Sequence, residues 1–143
     1  MRNKSIYLFL IGLCLLVALK SCQSEEQITY ARYYVTGRNL YIQHCQNCHS
    51  DEGKGLGKLI PPLTDTTFLS TNRNKIACII KNGMSDTIEI HGKVYNEAMP
   101  GEPNLTNIEI AQLVTYVTNS FGNNQGLYDV EDAAKDLSVC KKK

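Results

Sequence analysis

The sequence predicts an all-α fold, and the main evidence is the spacing of its apolar residues. In three stretches these residues recur every three or four positions, which is the period of one helix face. The three predicted helices cover about residues 26–43, 72–82 and 106–122. One alternating stretch near 87–95 predicts a short β-like turn segment. With 143 residues, the chain has room for one small domain.

Residues 1–21 have the pattern of an export signal. Arg2 and Lys4 precede an uncharged apolar stretch of 14 residues, Ile6–Leu19. A helix that spans a bilayer needs roughly 17 or more apolar residues, whereas the apolar part of a secretory signal has about 7 to 15. The length therefore favours a signal that is removed, and a short anchor that stays attached is the alternative.

The end of this segment, Leu19-Lys20-Ser21-Cys22, resembles the lipobox of bacterial lipoproteins. In those proteins the signal is cut before a cysteine that becomes acylated. The resemblance implies that Cys22 carries lipid and that residues 22–26 form a tether. Each buried methylene of an acyl chain adds about 0.8 kcal/mol to membrane binding. We therefore expect an exported protein on the periplasmic side of a membrane or on an outer-membrane surface.

The charge balance argues against a nucleic-acid-binding protein. The chain has 15 basic and 14 acidic side chains, a formal net charge of +1. Three of the basic residues belong to residues 1–21, so the remainder has 12 basic against 14 acidic side chains. A nucleic-acid binder needs a strongly basic face, and this composition does not provide one.

The first predicted helix leads directly into a motif that binds a prosthetic group. Cys45, Cys48 and His49 form the pattern Cys-x-x-Cys-His, which is typical of covalent attachment of a c-type haem. Two thiols at this spacing can reach two vinyl groups on one porphyrin edge, and the next side chain then lies under the iron. Redox dithiols and zinc sites are the alternatives, but a zinc site needs a second ligand pair. We expect one haem c with His49 as its proximal ligand.

The candidates for the second iron ligand are Met99, Met84 and His91. Met99 precedes Pro100 and Gly101, which disfavour a regular helix and favour a loop that can bring a thioether to the iron. Met84 follows the predicted middle helix and is interpreted as a core or lining side chain. His91 is interpreted as an exposed histidine at a turn.

With these features the chain resembles class I monohaem cytochromes c. The spacing Gly37-x-x-x-Tyr41-x-x-x-Cys45 matches the N-terminal helix of that family, and Tyr116 matches an aromatic position on its last helix. The resemblance implies a class I cytochrome c fold over about residues 27–122. In this fold three to five helices wrap around a single covalent haem.

The resemblance also implies the surroundings of the iron. In this family a methionine followed by proline on a late loop is the distal ligand, which assigns that role to Met99. A proline carbonyl in the family accepts the Nδ1 proton of the proximal histidine and orients its ring. Pro61 and Pro62 are both candidates for this carbonyl.

The last predicted helix begins with a capping box. In this motif the side chain of Thr106 accepts a backbone N–H of the first turn, and the side chain of Glu109 accepts the backbone N–H of Thr106. Apolar side chains recur along one face of this helix, and the glycine that follows them, Gly122, is expected to end it. The polar residues 123–143 are interpreted as a C-terminal extension. Cys140 in this extension and Cys78 in the middle helix could form a disulfide. The alternative is that Cys78 is simply a small buried side chain.

Histidine and methionine ligands leave the iron without an open coordination position. We therefore expect outer-sphere transfer of single electrons by a membrane-tethered carrier, and no catalysis. The partners are expected to be redox proteins, and the chain could serve as an accessory subunit of a respiratory oxidoreductase. The alternative is a haem enzyme or a gas- or peroxide-reactive module in which Met99 binds weakly.

Overall fold

The structure is a computed structural model that describes residues 24–140 together with Ile6, Tyr7 and Gly12. These residues contain six helices and one hairpin, which confirms the expected helical fold. The elements are α1 (Glu25–His44), α2 (Gln46–His49), α3 (Thr66–Thr71), α4 (Arg73–Asn82), β1 (Ile88–Ile90), β2 (Lys93–Tyr95), α5 (Asn107–Val117) and α6 (Val130–Ser138). No helix in this part of the chain is long and apolar enough to cross a bilayer. Cys22 and the predicted cleavage site lie outside the described residues.

Helix α1 crosses α5 at Gly37, in direct contact with the backbone of the other helix. A Cβ atom at this position would overlap the carbonyl group of Gln112 and would lie 2.8 Å from the Cβ of Tyr116. Only glycine permits this approach, because it has no side chain at the contact. The crossing sets the direction in which α1 continues towards Cys45.

Aromatic rings fill the core beside this crossing. The ring of Tyr41 lies 5.3 Å from the ring of Tyr116 and 5.3 Å from that of Phe121, within the range of favourable aromatic pairs. The hydroxyl of Tyr41 donates a hydrogen bond to the carbonyl oxygen of Ser50 at 2.5 Å. The buried ring therefore connects the helix crossing to the chain that follows α2.

Helix α5 begins as predicted, but the expectation that it extends to Gly122 is wrong. It starts with the capping box of Thr106 and ends at Val117. After this point the side-chain carbonyl of Asn119 accepts the backbone N–H groups of residues 125 and 126, at 3.0 and 2.8 Å. Because the Asn119 side chain binds the backbone of residues 125 and 126, the helix ends and a turn follows.

The expected β-like segment is an antiparallel hairpin of β1 and β2. Ile88 pairs with Tyr95 and Ile90 pairs with Lys93. The residues between the strands, His91 and Gly92, have φ values of 51° and 73°. Positive φ at both positions matches the right-handed twist of a two-residue hairpin turn.

The C-terminal extension contains a helix, α6, that the polar composition of this segment does not indicate. Asp129 caps it and Asp132 completes a capping box. The extension packs on the core through the buried side chains of Tyr128 and Ala133. The guanidinium of Arg73 on α4 also donates to the carbonyl oxygens of Gln125 and Leu127.

A disulfide between Cys78 and Cys140 joins α4 to the end of the extension. The two cysteines are 62 residues apart in sequence, and their Cα atoms are separated by 5.6 Å. In the chain-entropy model, closing a loop of this length stabilises the folded state by about 4 kcal/mol. The extension is thus attached covalently to the helix whose opposite face lines the central cleft.

Replacing Gly37 with alanine tests whether the crossing depends on backbone contact. Helix propensity alone predicts that Gly→Ala stabilises a helix by about 1 kcal/mol. Because the added Cβ would overlap Gln112, we expect the opposite sign, a loss of about 1–3 kcal/mol. Guanidinium unfolding of Gly37→Ala measures the change, with Thr36→Ala on the exposed face of α1 as the control. Stabilisation by Gly37→Ala would show that the helices do not cross in contact.

Candidate functional site

An apolar cleft lies between the segment after α2 and the chain around residues 84–100. It has two adjoining lobes, which we call the inner and the outer lobe and which enclose about 670 Å³ and about 500 Å³ when the space open to solvent is included. Both are lined by the same five residues, His49, Pro61, Met84, Ile88 and Met99. The rest of the inner lobe is almost entirely aliphatic and aromatic, and includes Ile76, Ile79 and Ile80 of α4. The cleft therefore suits a large apolar group.

The short helix α2 brings the residues of the Cys-x-x-Cys-His motif to one side of the cleft. The backbone N–H groups of Cys48 and His49 both donate to the carbonyl oxygen of Cys45, at 3.1 and 2.9 Å. This single turn places Cys45 in the wall of the inner lobe and Cys48 in the wall of the outer lobe. His49 lines both lobes. The two thiols are therefore free to bond to one edge of a group held in the cleft.

His49 is positioned by a backbone carbonyl. Its Nδ1 atom lies 3.2 Å from the carbonyl oxygen of Pro61, so Pro61 rather than Pro62 orients the ring. The side chain is only 7% exposed, and burial lowers its pKa while the hydrogen bond to Pro61 opposes that change. Since a carbonyl can only accept, Nδ1 carries the proton and the neutral ring has its lone pair on Nε2. This lone pair on Nε2 can therefore coordinate a metal ion.

The two thiols have different surroundings. Cys45 is half-buried and Cys48 is exposed, and neither forms a disulfide. Burial, reinforced by the negative charges of Glu102 and Cys48, raises the pKa of the Cys45 thiol to about 12. Cys45 is therefore an uncharged group at neutral pH, which is compatible with the apolar wall that it forms.

Met84 and Met99 lie side by side on the wall shared by both lobes. The backbone N–H of Met84 donates to the carbonyl of Met99 at 2.9 Å, and the reverse bond measures 2.8 Å. Gly83 allows this pairing, because a Cβ there would overlap the carbonyl oxygen of Met99 and lie 2.8 Å from the nitrogen of Gly101. The structure thus brings two thioethers, and not only the predicted Met99, to the same cleft as His49.

The other two histidines bind carboxylates away from this cleft. Nε2 of His91 lies 2.7 Å from a carboxylate oxygen of Asp65, and Nδ1 of His44 lies 3.1 Å from one of Glu102. Neither His91 nor His44 lines a lobe. Both are exposed, which agrees with the interpretation of His91 as an exposed histidine at a turn.

Two features of the site do not follow from the motifs. Asp65 caps α3 by accepting from the backbone N–H of Phe68 at 2.5 Å, and its other oxygen holds His91 at the hairpin turn. Asp65 stands three residues before Phe68, which is an N-cap spacing visible in the sequence. Ile88 and Ile90 of the hairpin line the inner lobe, as their alternation with polar residues could have indicated.

The donor set fits an iron porphyrin. The cleft offers two free thiols on one turn of helix, a neutral imidazole with an available lone pair, and two thioethers among aliphatic side chains. A soft thioether and an imidazole are both ligands of haem iron in electron-transfer proteins. The apolar walls match the hydrocarbon faces of a porphyrin.

Comparison with known proteins gives an independent result. Residues 34–117 match the family model described as "Cytochrome C oxidase, cbb3-type, subunit III". The chain is 29% identical over 92 residues to "Alcohol dehydrogenase (quinone), cytochrome c subunit" of Gluconobacter oxydans (strain 621H). The subunit of the same description from Komagataeibacter europaeus is 29% identical over 91 residues. In both cases the match covers 62% of this chain and 19% of the relative, so the chain spans about a fifth of their length.

Replacing Gly83 with alanine tests the close pairing of the two methionine segments. Gly83 and Gly92 have almost the same φ, 74° and 73°, but a Cβ at Gly92 would meet no atom within 4 Å. We expect Gly92→Ala to cost about 1 kcal/mol for the positive φ alone. Gly83→Ala should cost about 1–3 kcal/mol more, because its Cβ would overlap the backbone of Met99. Guanidinium unfolding measures both variants, and equal losses would contradict the pairing.

Proposed function

The chain belongs to the c-type cytochrome family, because more than half of its length matches the cbb3-type subunit III model, and we propose how it carries electrons. The protein binds one haem c through Cys45 and Cys48, with His49 and Met99 as the iron ligands. It is held at a membrane by lipid on Cys22. The observation that carries this proposal is the convergence of the attachment motif, a carbonyl-oriented histidine and Met99 on one apolar cleft.

The proposal of a single haem rests on the number of attachment motifs. Cys45-Gln46-Asn47-Cys48-His49 is the single Cys-x-x-Cys-His pattern in the 143 residues. When bound, the haem supplies an iron that cycles between ferric and ferrous states by exchanging one electron. The contribution of the protein is to hold His49 by Pro61 and to surround the group with apolar side chains. Low water access and a thioether ligand both favour the ferrous form.

Met99 is a better candidate than Met84 for the distal ligand. The proline after Met99 lacks a backbone N–H and disfavours helix, so its segment stays extended along the cleft. Met84 follows Gly83 and holds Met99 in place through two backbone hydrogen bonds. We therefore assign the thioether of Met99 to the iron and the backbone of Met84 to its positioning.

The surroundings of the cleft favour an electron carrier over a peroxide-reactive haem. A peroxidase needs an acid–base side chain next to the open side of the iron. Among the described residues His91 is held by Asp65 and His44 by Glu102, and both lie outside the cleft. The carboxylates of Asp86 and Glu97 line only the outer lobe, and the walls of the inner lobe are largely hydrocarbon and thioether.

We further propose that the partners are other redox proteins of a respiratory chain. The relatives named above are cytochrome c subunits of a quinone alcohol dehydrogenase. By analogy, this chain would accept electrons from an oxidoreductase and pass them on, or serve as its accessory subunit. Export is part of the same proposal, because haem attachment to a Cys-x-x-Cys-His motif takes place outside the cytoplasm.

Exchange of each methionine for leucine tests the assignment of the distal ligand. Leucine conserves volume and apolar character but cannot bind iron. We expect Met99→Leu to lose the methionine resonance of the low-spin protein, bind carbon monoxide in the reduced state, and have a lower potential. Met84→Leu should keep the wild-type spectrum. NMR and absorption spectroscopy of the holoproteins provide the measurement. If Met84→Leu alone shows the loss, the assignment is reversed, and carbon monoxide binding by the wild type favours the gas-reactive alternative.

The lipid anchor is tested by replacing either cysteine of the N-terminal segment. We expect Cys22→Ala to move most of the protein from the membrane fraction to the soluble fraction, since no acyl chain can then be attached. Cys14→Ala, within the predicted signal, is the matched control and should remain with the membrane. Fractionation and intact mass measure the outcome. Membrane retention of Cys22→Ala without added lipid mass would contradict the anchor.

A further inference from the structure

The outer lobe opens to solvent through a rim that is apolar and uncovered. Leu59 in this rim is 52% exposed, and Leu56, one turn before it, is 57% exposed. Ala98 and Pro100, which line the same lobe, are also exposed. Cys48 lines this lobe too, so the edge of a group attached to its thiol would be reached here. An exposed apolar rim around such an opening is typical of a protein contact surface.

The charges in this rim have one sign. Asp86 and Glu97 both line the outer lobe, and no lysine or arginine does. Within the described residues, neither carboxylate takes part in an ion pair, and the three that form involve Glu102, Glu52 and Asp65. Two carboxylates therefore stay uncompensated beside the opening.

The nearest lysines differ in whether their charge is available. Lys54 is paired with Glu52, and the ammonium of Lys81 donates to the carbonyl oxygens of Pro103 and Leu105. Lys58, next to Leu59, and Lys93 on β2 are exposed and form no ion pair within the described residues. Because neither of these lysines lines the outer lobe, the lobe itself carries two carboxylates and no cation.

We propose that this rim docks a redox partner that surrounds its own electron-transfer centre with lysine or arginine side chains. This inference rests on the proposed function and specifies the partner for the same cleft. Apolar contact at Leu59, Ala98 and Pro100 brings the two centres close, and Asp86 and Glu97 select the sign of the partner's charge. One electron would pass from the reduced centre of one protein to the oxidised centre of the other, and no proton or group would move with it.

The experiment compares two outer-sphere oxidants of opposite charge. Reduced holoprotein is mixed in a stopped-flow instrument with tris(phenanthroline)cobalt(III), a trivalent cation, or with hexacyanoferrate(III), a trivalent anion. For the wild type, we expect the rate with the cation to fall and the rate with the anion to rise as salt is added. Each oxidant accepts one electron, which returns the iron to the ferric state.

The decisive variant is Asp86→Asn/Glu97→Gln. At low ionic strength we expect the ratio of the cation rate to the anion rate to fall roughly tenfold, and the loss to vanish at high salt. Glu25→Gln/Glu26→Gln is the matched control, because it removes the same charge from the exposed first turn of α1. An unchanged ratio in the first variant, or equal changes in both, overturns the proposal. A wild-type preference for the anion would show that Lys58 dominates the rim.

A second measurement does not need electron transfer and keeps the proposal distinct from the proposed function. NMR titration of the ferrous holoprotein with tetralysine should shift the amide signals of Leu59, Asp86, Glu97 and Ala98 and leave those of α6 unchanged. Shifts spread evenly over the surface overturn the docking site. Loss of the low-spin spectrum before any mixing would instead count against the proposed function itself.

Discussion

The backbone contact between α1 and α5 at Gly37 is the constraint on which the rest of the structure depends. Because the two helices touch there, Tyr41 lies buried against Tyr116 and Phe121, and its hydroxyl reaches the carbonyl of Ser50. These contacts hold both ends of the short helix α2, which has Cys45 as its N-cap and carries Cys48 and His49. A side chain at residue 37 would force the helices apart and move the attachment motif away from the aliphatic wall that faces it.

The opposite wall of the cleft also depends on glycines that allow direct contact between backbone segments. Gly83 and Gly101 let two segments of backbone approach closely, and the paired hydrogen bonds of Met84 and Met99 then fix both thioethers beside the cleft. The hairpin that completes this wall is held by His91 and the buried carboxylate of Asp65. Neither wall places a charge in the interior, and this suits a group whose iron changes its own charge by one when it gains or loses an electron.

The interior and the opening of the cleft therefore have different electrostatic roles. Inside, burial lowers the pKa of His49 and raises that of Cys45, so both side chains are neutral near pH 7. At the opening, Asp86 and Glu97 remain in contact with water. A neutral interior stabilises the reduced iron, whereas charged groups at the rim act on approaching partners over distances of about 10 Å. Family membership fits this division, because an electron carrier needs a protected centre and an accessible edge.

Local sequence determined α1, α4, the start of α5, the hairpin and the attachment motif, since each depends on residues a few positions apart whose spacing is visible without a structure. It also limited the candidates for the distal ligand to a few residues. Tertiary contacts decided that Pro61 orients His49, that Cys78 bonds to Cys140, and that α5 ends at Val117. Asn119 ends that helix by binding the chain that returns from residue 125, and its partners cannot be read from helical periodicity. The physical reason is the same in each case: periodicity reports which face of an element is apolar, whereas pairing depends on which distant segment the packed backbone brings within bonding distance.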